Sequence, residues 1–148
     1  MTLTFLVLLI SLRASSPVAA VEESSWRSGW VATSAESRKA CQPVLLELGA
    51  PWCQACQAMD AGVLRGADFR ALAARMILLR SNVDEPEGKA LQKRFLAPYT
   101  PAFLIIRPDG REIGRMVGWQ PSGKFLTRLY SWLNKSKEIK CPSSPSKI

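Results

Sequence analysis

Residues 44–56 read Val-Leu-Leu-Glu-Leu-Gly-Ala-Pro-Trp-Cys-Gln-Ala-Cys, so an apolar run stands directly before a pair of cysteines. The run is interrupted only by Glu47, and an almost unbroken apolar run is typical of a strand that is buried on both faces. A Gly-Ala-Pro segment ends the strand, and a helix is expected to follow. We therefore place Cys53 and Cys56 where a buried central strand passes into a helix.

The spacing of Cys53 and Cys56 suits thiol–disulfide chemistry. The N-terminus of a helix offers partial positive charge and free N–H groups, which favour a thiolate over a thiol. The alternatives are a buried packing pair and half of a structural zinc site. Such zinc sites use two close-spaced pairs of Cys or His ligands, whereas this chain has one close pair, two isolated cysteines and no histidine. We interpret the pair as a redox centre that needs no metal ion or other cofactor.

Trp52 completes an Ala-Pro-Trp-Cys motif, through which the chain resembles the thioredoxin superfamily. The resemblance covers about residues 30–134 and implies an α/β thioredoxin fold, with a central mixed sheet of four to five strands flanked by helices. Within the superfamily the chain looks most like one exported domain, the C-terminal thioredoxin-like domain of a transmembrane electron-transfer protein that reduces periplasmic disulfide proteins. That domain also opens with a short helix leading into the strand before the cysteines.

Strand and helix signals alternate along the rest of the chain. Thr33 to Glu36 fits a capping box with Thr33 as the N-cap, which predicts a helix ending near Ala40. Further helices are predicted over 56–64, over 68–75 and from Pro86, and further strands over 76–82, 102–106 and 112–117. A last amphipathic helix from Pro121 is predicted by the apolar spacing of Phe125, Leu126, Leu129, Tyr130 and Leu133.

Residues 1–20 resemble an export signal. A short apolar run is followed by Val18-Ala19-Ala20, where small residues suit cleavage after Ala20. The segment before the run lacks Lys and Arg, which leaves an uncleaved N-terminal membrane anchor as the alternative. We expect a periplasmic or otherwise exported protein, with residues 21–29 as a polar lead-in and residues 135–148 as a flexible basic tail.

The formal charge of the chain is +8, so nucleic acid must be considered as a partner. Lys and Arg are scattered, however, and no aromatic-interleaved basic run or nucleic-acid motif is present. A solvated basic surface is therefore favoured. We expect a monomer that does not bind nucleic acid, and whose partners are protein disulfide substrates and an upstream thiol reductant.

Glu47 lies inside the apolar strand, where an ionised carboxylate without a partner is costly. The resemblance implies that Glu47 accepts the proton of the resolving thiol, Cys56, while Cys53 is the nucleophile. It also places Arg80 beside Glu47, in a position where thioredoxin has a lysine. Arginine stabilises the carboxylate but does not relay protons. The alternative for Glu47 and Arg80 is a structural ion pair.

Thr100 and Pro101 stand where this superfamily keeps a cis-proline, and the resemblance implies that Thr100 pairs with an extended substrate segment beside the sulfurs. The alternative is an ordinary trans-proline at a strand start, with Pro98 as a competing candidate. Trp52 and Trp119 are expected to flank the redox centre, unless they are core residues.

Cys41 and Cys141 form a candidate structural disulfide. Cys41 precedes the central strand at the end away from the redox pair, and the last helix must run back toward that end. An exported protein would allow them to pair. The alternative is a buried Cys41 and a free Cys141 on a mobile tail.

The function predicted from these patterns is an exported thiol–disulfide oxidoreductase that reduces protein disulfides. The intervening residues Gln54 and Ala55 match neither the most reducing members of the superfamily nor its strong oxidants. An oxidase or isomerase of the same fold therefore stays open, as does a non-catalytic binding module.

Overall fold

A five-stranded mixed sheet forms the centre of the molecule, in a computed structural model that describes residues 25–137 and 141. The strands are β1 Trp26–Arg27, β2 Val44–Gly49, β3 Ile77–Asn82, β4 Ala102–Ile106 and β5 Glu112–Val117. The strand order is β1-β3-β2-β4-β5. The first three strands are parallel, and the last two form a hairpin whose first arm pairs antiparallel with β2.

Helices cover both faces of this sheet. The helices are α1 Trp30–Ala40, α2 Gln54–Met59, α3 Ala67–Ala73, α4 Pro86–Phe95 and α5 Ser122–Lys137, with a π-helical turn, Asp60–Leu64, directly after α2. One face of the sheet packs against α2, α3 and α5, and the other against α1 and α4. The α/β class and the mixed sheet of up to five strands, both expected from the sequence, are confirmed.

Strand β2 is buried along its whole length, as its apolar run predicts. Side chains alternate between the two faces of a strand. Leu45 packs in the cluster with Phe103 and Phe125, and Leu46 packs in the opposite cluster with Leu104. Glu47 shares its face with Leu45, so its carboxylate points toward the layer that contains α2.

The N-terminal part of the domain differs from the sequence prediction in two ways. The predicted lead-in contains β1, which pairs with β3. The predicted capping box is wrong, because α1 begins at Trp30 and Thr33 lies buried inside it. A distant carboxylate accounts for the difference: Glu87 accepts the Trp30 N–H at 3.0 Å, while Glu36 binds Arg27 at 2.8 Å. Tertiary contacts at the helix start thus override the local capping signal.

The C-terminal helix differs from the prediction at one position on its apolar face. Phe125, Leu129 and Leu133 are buried at helical spacing, but Tyr130 is exposed and lies 5.7 Å from the guanidinium of Arg75. The helix also continues to Lys137, beyond the predicted domain boundary at 134. Predictions for residues 1–20, and for the tail beyond 137 apart from Cys141, lie outside the described residues.

Gly88 on α4 lies close to the backbone at the end of β3. A Cβ added there would lie 1.9 Å from the carbonyl oxygen of Asn82, which is backbone and has no side-chain freedom to move away. We expect Gly88→Ala to lower the free energy of unfolding by about 2 kcal/mol, the range of other overpacking substitutions. Urea unfolding measures this change.

Gly123→Ala on α5 is the matched control, because nothing lies within 4 Å of a Cβ built there. This variant should be neutral or slightly stabilising, since alanine favours helix more than glycine does. Equal unfolding free energies for the two variants would contradict the packing argument.

Candidate active site

The two cysteines of the redox pair lie at the start of α2. Cys53 is the N-cap of the helix, and its sulfur accepts the N–H of Cys56 at 3.1 Å. The Cα atoms are 5.2 Å apart, and the pair is recorded as a disulfide. Both residues are 5% exposed. The helix start therefore holds the Cys53 sulfur against a backbone donor, which is the environment that stabilises a thiolate.

Glu47 lies near Cys56. It sits two residues before Gly49 on the same face of β2, and a Cβ added to Gly49 would lie 3.2 Å from Cys56 Sγ and 3.5 Å from Glu47 Oε1. Glycine at this position leaves the space between the sulfur and the carboxylate open. The structure thus places Glu47 and Cys56 around the same glycine, and the role of Glu47 as proton acceptor for Cys56 stays a prediction.

The guanidinium of Arg80 binds two carboxylates. Its Nε donates to Glu47 Oε2 at 2.8 Å, and its terminal nitrogen Nη2 donates to Asp60 Oδ1. The ring of Trp26 on β1 lies 4.6 Å from the same guanidinium. Arg80 is therefore fixed from three sides, between the buried Glu47 and the half-buried Asp60.

Burial has the largest effect on the pKa of Glu47. Its side chain is 2% exposed, and desolvation raises the pKa of this carboxyl to about 7, although Arg80 opposes the rise. Asp60 adds to the rise because it is a second negative charge nearby. A carboxyl with a pKa near 7 exchanges its proton readily at neutral pH.

A cavity of about 240 Å³ opens beside this group of charges. Glu47, Cys56, Asp60 and Arg80 line it together with Gln57 and the end of β3. Because the cavity is large enough for water and polar groups line it, protons can pass between Glu47 and solvent without passing through Arg80.

The segment around Pro101 lies beside the end of β2, because the next residue, Ala102, pairs with Leu48. The Thr100–Pro101 peptide bond is cis, and the Pro101 carbonyl accepts the N–H of Gly118 at 2.8 Å. Gln120, two residues after Gly118, donates its backbone N–H to Met59 Sδ of α2 at 3.4 Å. Trp119 is therefore held between contacts to the cis-proline segment and to the helix that carries the cysteines.

Two aromatic residues expected beside the redox centre are exposed rather than core residues. Trp52 is 64% exposed and Trp119 is 56% exposed. The Trp52 indole N–H donates to Asp84 Oδ2 at 2.8 Å, which holds the ring at the helix start. Tyr99, which precedes the cis-proline segment, is 72% exposed and adds a third aromatic side chain. Exposed aromatic surface of this kind is typical of a protein-binding site.

Sequence reasoning missed three residues that support the site. Asp60 lies four residues after Cys56, and helical spacing alone places both on one face of the helix. The sequence near Trp26 and Asp84 carries no signal of this kind. Trp26 contacts Arg80, and Asp84 binds Trp52, so both contacts join distant parts of the chain. Among residues 25–137 and 141, no three His, Cys, Asp or Glu side chains form a group that could hold a metal ion.

Cys41 and Cys141 lie at the end of the sheet away from the redox pair. Cys41 ends α1 in a left-handed conformation, and its Cα is 5.9 Å from that of Cys141. This separation is within the range of disulfides. The bridge between Cys41 and Cys141 therefore stays a prediction that the fold permits.

A mixed sheet with two cysteines at the start of α2 and a cis-proline beside them defines a thiol–disulfide oxidoreductase of the thioredoxin fold. A family model described as thioredoxin-like matches residues 25–108, more than half of the chain. The chain therefore belongs to the thioredoxin-like family.

Individual proteins also resemble this chain, some in sequence and some in fold. The chain is 33% identical over 91 residues to the thiol:disulfide interchange protein DsbD of Ralstonia nicotianae, an alignment that covers 60% of this chain and 15% of that protein. A thioredoxin from Thermus thermophilus superposes with a TM-score of 0.68 at 29% identity, covering 76% of this chain and 90% of that one. The reduced C-terminal domain of DsbD from Neisseria meningitidis superposes with a TM-score of 0.61 at 23% identity, covering 68% and 90%. The chain thus spans about a sixth of the length of the curated relatives it matches.

Proposed function

We propose that this chain is an exported reductase of protein disulfides, which acts through the dithiol form of Cys53 and Cys56. The observation that carries the proposal is the arrangement of Cys53 at the helix start with the buried Cys56 beside Glu47. This arrangement gives one sulfur a stabilised thiolate and the other a nearby proton acceptor, which are the two requirements of dithiol exchange.

The proposed reaction has two steps. The Cys53 thiolate attacks a substrate disulfide, so that a bond forms between Cys53 and one substrate sulfur while the other substrate sulfur leaves as a thiolate. Cys56 then passes its proton to Glu47 and attacks the Cys53 sulfur, which releases the remaining substrate thiolate. The substrate gains two electrons, and the chain is left with the Cys53–Cys56 disulfide. An upstream thiol reductant must return it to the dithiol.

Substrate binding is assigned to the surface around Cys53. Trp52, Trp119 and Thr100 form it with the cis-proline segment, and Tyr99 extends it. The backbone of the half-buried Thr100, next to the cis bond, suits an extended peptide paired in the manner of a strand. We propose that the chain acts as a monomer and takes protein disulfides rather than nucleic acid, because its basic residues are dispersed and its exposed aromatic residues lie beside the sulfurs.

The reduction potential of the pair tests the direction of the reaction. We expect equilibration with glutathione to give a potential well below that of an oxidase, and the purified chain to reduce insulin when a dithiol reloads it. A potential near −120 mV, the range of a strong oxidant, would overturn the reductase assignment. Absence of insulin reduction at any dithiol concentration would instead favour a non-catalytic binding module.

Export is supported by the apolar segment and the small residues of 1–20. Among the described residues, no helix combines the length and apolar character that crossing a bilayer requires. Cell fractionation followed by N-terminal sequencing separates the two proposals for residues 1–20. A chain that starts at Val21 supports cleavage, and an intact chain in the membrane fraction supports the anchor.

We also propose that Cys41 and Cys141 are bridged in the exported protein. In the chain-entropy model, a bridge that closes a loop this long adds on the order of 4 kcal/mol to the free energy of unfolding. Mild reduction that opens only the Cys53–Cys56 bond should leave two free thiols when the protein is then denatured and titrated. A count of four thiols would mean that Cys41 and Cys141 are not bonded.

A further inference from the structure

A small basic cavity lies at the end of the molecule away from the redox pair. It has a volume of about 110 Å³ and is bounded by one face of α1, the end of α4 and the turn between β4 and β5. Val44, the first residue of β2, also lines it, whereas the cysteines follow the last residue of that strand. The cavity is therefore separate from the substrate surface around Cys53.

Three arginines from three different elements line this cavity: Arg38, Arg94 and Arg107. Arg94 lies 4.9 Å from the ring of Trp30, and this stacking fixes the direction of its N–H donors. Within residues 25–137 and 141, neither Arg38 nor Arg94 is paired with a carboxylate. Two guanidinium groups beside the cavity thus keep donors available for a ligand.

Arg107, the third arginine at the cavity, is partly engaged within the protein. Its terminal nitrogen pairs with Asp109 at 3.0 Å, but its Nε is buried and has no hydrogen-bond partner in the described part of the chain. A buried N–H of a charged group that lacks an acceptor is costly. This nitrogen is closed off from the solvent of the cavity, so Arg107 contributes charge to the site rather than an Nε hydrogen bond.

The balance of charge favours an anion over water alone. Asp109 is the acidic residue that lines the cavity, and it is already bound by both Arg107 and Arg111. The two serine hydroxyls at the cavity donate to backbone carbonyls, Ser34 to Val31 and Ser37 to Gln42. The donors that remain for a ligand are therefore guanidinium groups, which match the oxygens of phosphate in geometry and charge.

We propose that this cavity is a binding site for a phosphate-type oxyanion. Its volume accommodates several water molecules or one tetrahedral oxyanion. The ligand is either free phosphate or the phosphate of an anionic lipid headgroup, since both present the same group of oxygens. The site is independent of the proposed redox reaction, because no cysteine of the active pair lines it.

Titration calorimetry of the full chain with inorganic phosphate, in a cationic buffer at low chloride, tests the proposal. We expect saturable binding at one site. Arg94→Gln should weaken it by about tenfold, because it removes one charge-assisted hydrogen bond. The matched control is Arg128→Gln, which removes an exposed arginine from α5 and should change the affinity by less than about twofold.

Sedimentation with phosphatidylcholine vesicles that contain phosphatidylglycerol distinguishes the two sources of the phosphate. A loss of binding in Arg94→Gln that Arg128→Gln does not share supports the site. If the loss appears with inorganic phosphate, the ligand is free phosphate, and if it appears only with the vesicles, the ligand is the lipid headgroup. The proposal is overturned if neither probe binds saturably, or if Arg94→Gln and Arg128→Gln lose binding equally. It is also overturned if chloride at the same concentration binds as phosphate does.

Discussion

Cys53→Ser should lower the rate of insulin reduction to that of the dithiol reagent alone. The thiolate is the attacking species in disulfide exchange, and a serine hydroxyl stays protonated and does not attack sulfur. Cys56→Ser should behave differently, because Cys53 still attacks while nothing releases the substrate. That variant should accumulate a covalent complex with substrate, visible as a band on a non-reducing gel that reductant removes.

Cys41→Ser is the matched control for this pair of variants. It also removes one sulfur, but at the opposite end of β2 from the redox centre. Its insulin reduction should equal that of the wild type at a temperature where both are folded. Activity that survives in Cys53→Ser, or a covalent complex that forms in Cys53→Ser but not in Cys56→Ser, would overturn the assignment of Cys53 as the nucleophile.

Glu47→Gln should change how the stability of the oxidised protein depends on pH. The pKa of Glu47 is about 7 in the folded chain, against an ordinary value of 4.5, so the folded chain holds a proton that the unfolded chain has released. The free energy of unfolding must therefore fall as pH rises from about 4.5 to about 7, and the loss is complete above pH 7. The shift corresponds to about 3 kcal/mol at most. Urea unfolding at pH 5 and pH 8 should show this loss in the wild type and little of it in the variant.

The same variant should slow the release of substrate, since it removes the proposed proton acceptor of Cys56. Glu36→Gln is the control for charge, because Glu36 forms an exposed pair with Arg27 that contributes little. If the stability difference between wild type and Glu47→Gln were the same at pH 5 and pH 8, the raised pKa would be wrong. If substrate release were also unchanged from pH 6 to 9, Glu47 would be a structural residue.

The part of the site that lies close in the sequence was predictable. The buried strand, the cysteine pair and the helix start all fall within residues 44–56, and each follows from local pattern. Glu47 was predictable because a carboxylate stands out in an apolar run. Pro101 and Arg80 required the resemblance to a known family, since no local signal connects either of them to the cysteines.

The remaining features depend on contacts between distant segments. Nothing near Thr33 indicates that Glu87, more than fifty residues away, binds the start of α1. The strand at Trp26 is two residues long, which is too short for a periodic pattern to reveal. The basic cavity likewise combines residues of three elements, so the scattered arginines gave no sign of it in the sequence.

The π-helical turn at Asp60–Leu64 restricts which insertions and deletions the gene can tolerate. Such a turn contains one residue more than an α-helical turn, and its members include Asp60, which binds Arg80, and the buried Val63 and Leu64. Deleting one codon here would leave four residues, about one α-helical turn, so the segment would lose one of the residues that it supplies to the core or to Arg80. Insertions and deletions are tolerated in exposed loops, but this helical segment must keep its length for both the core and the charge network to form.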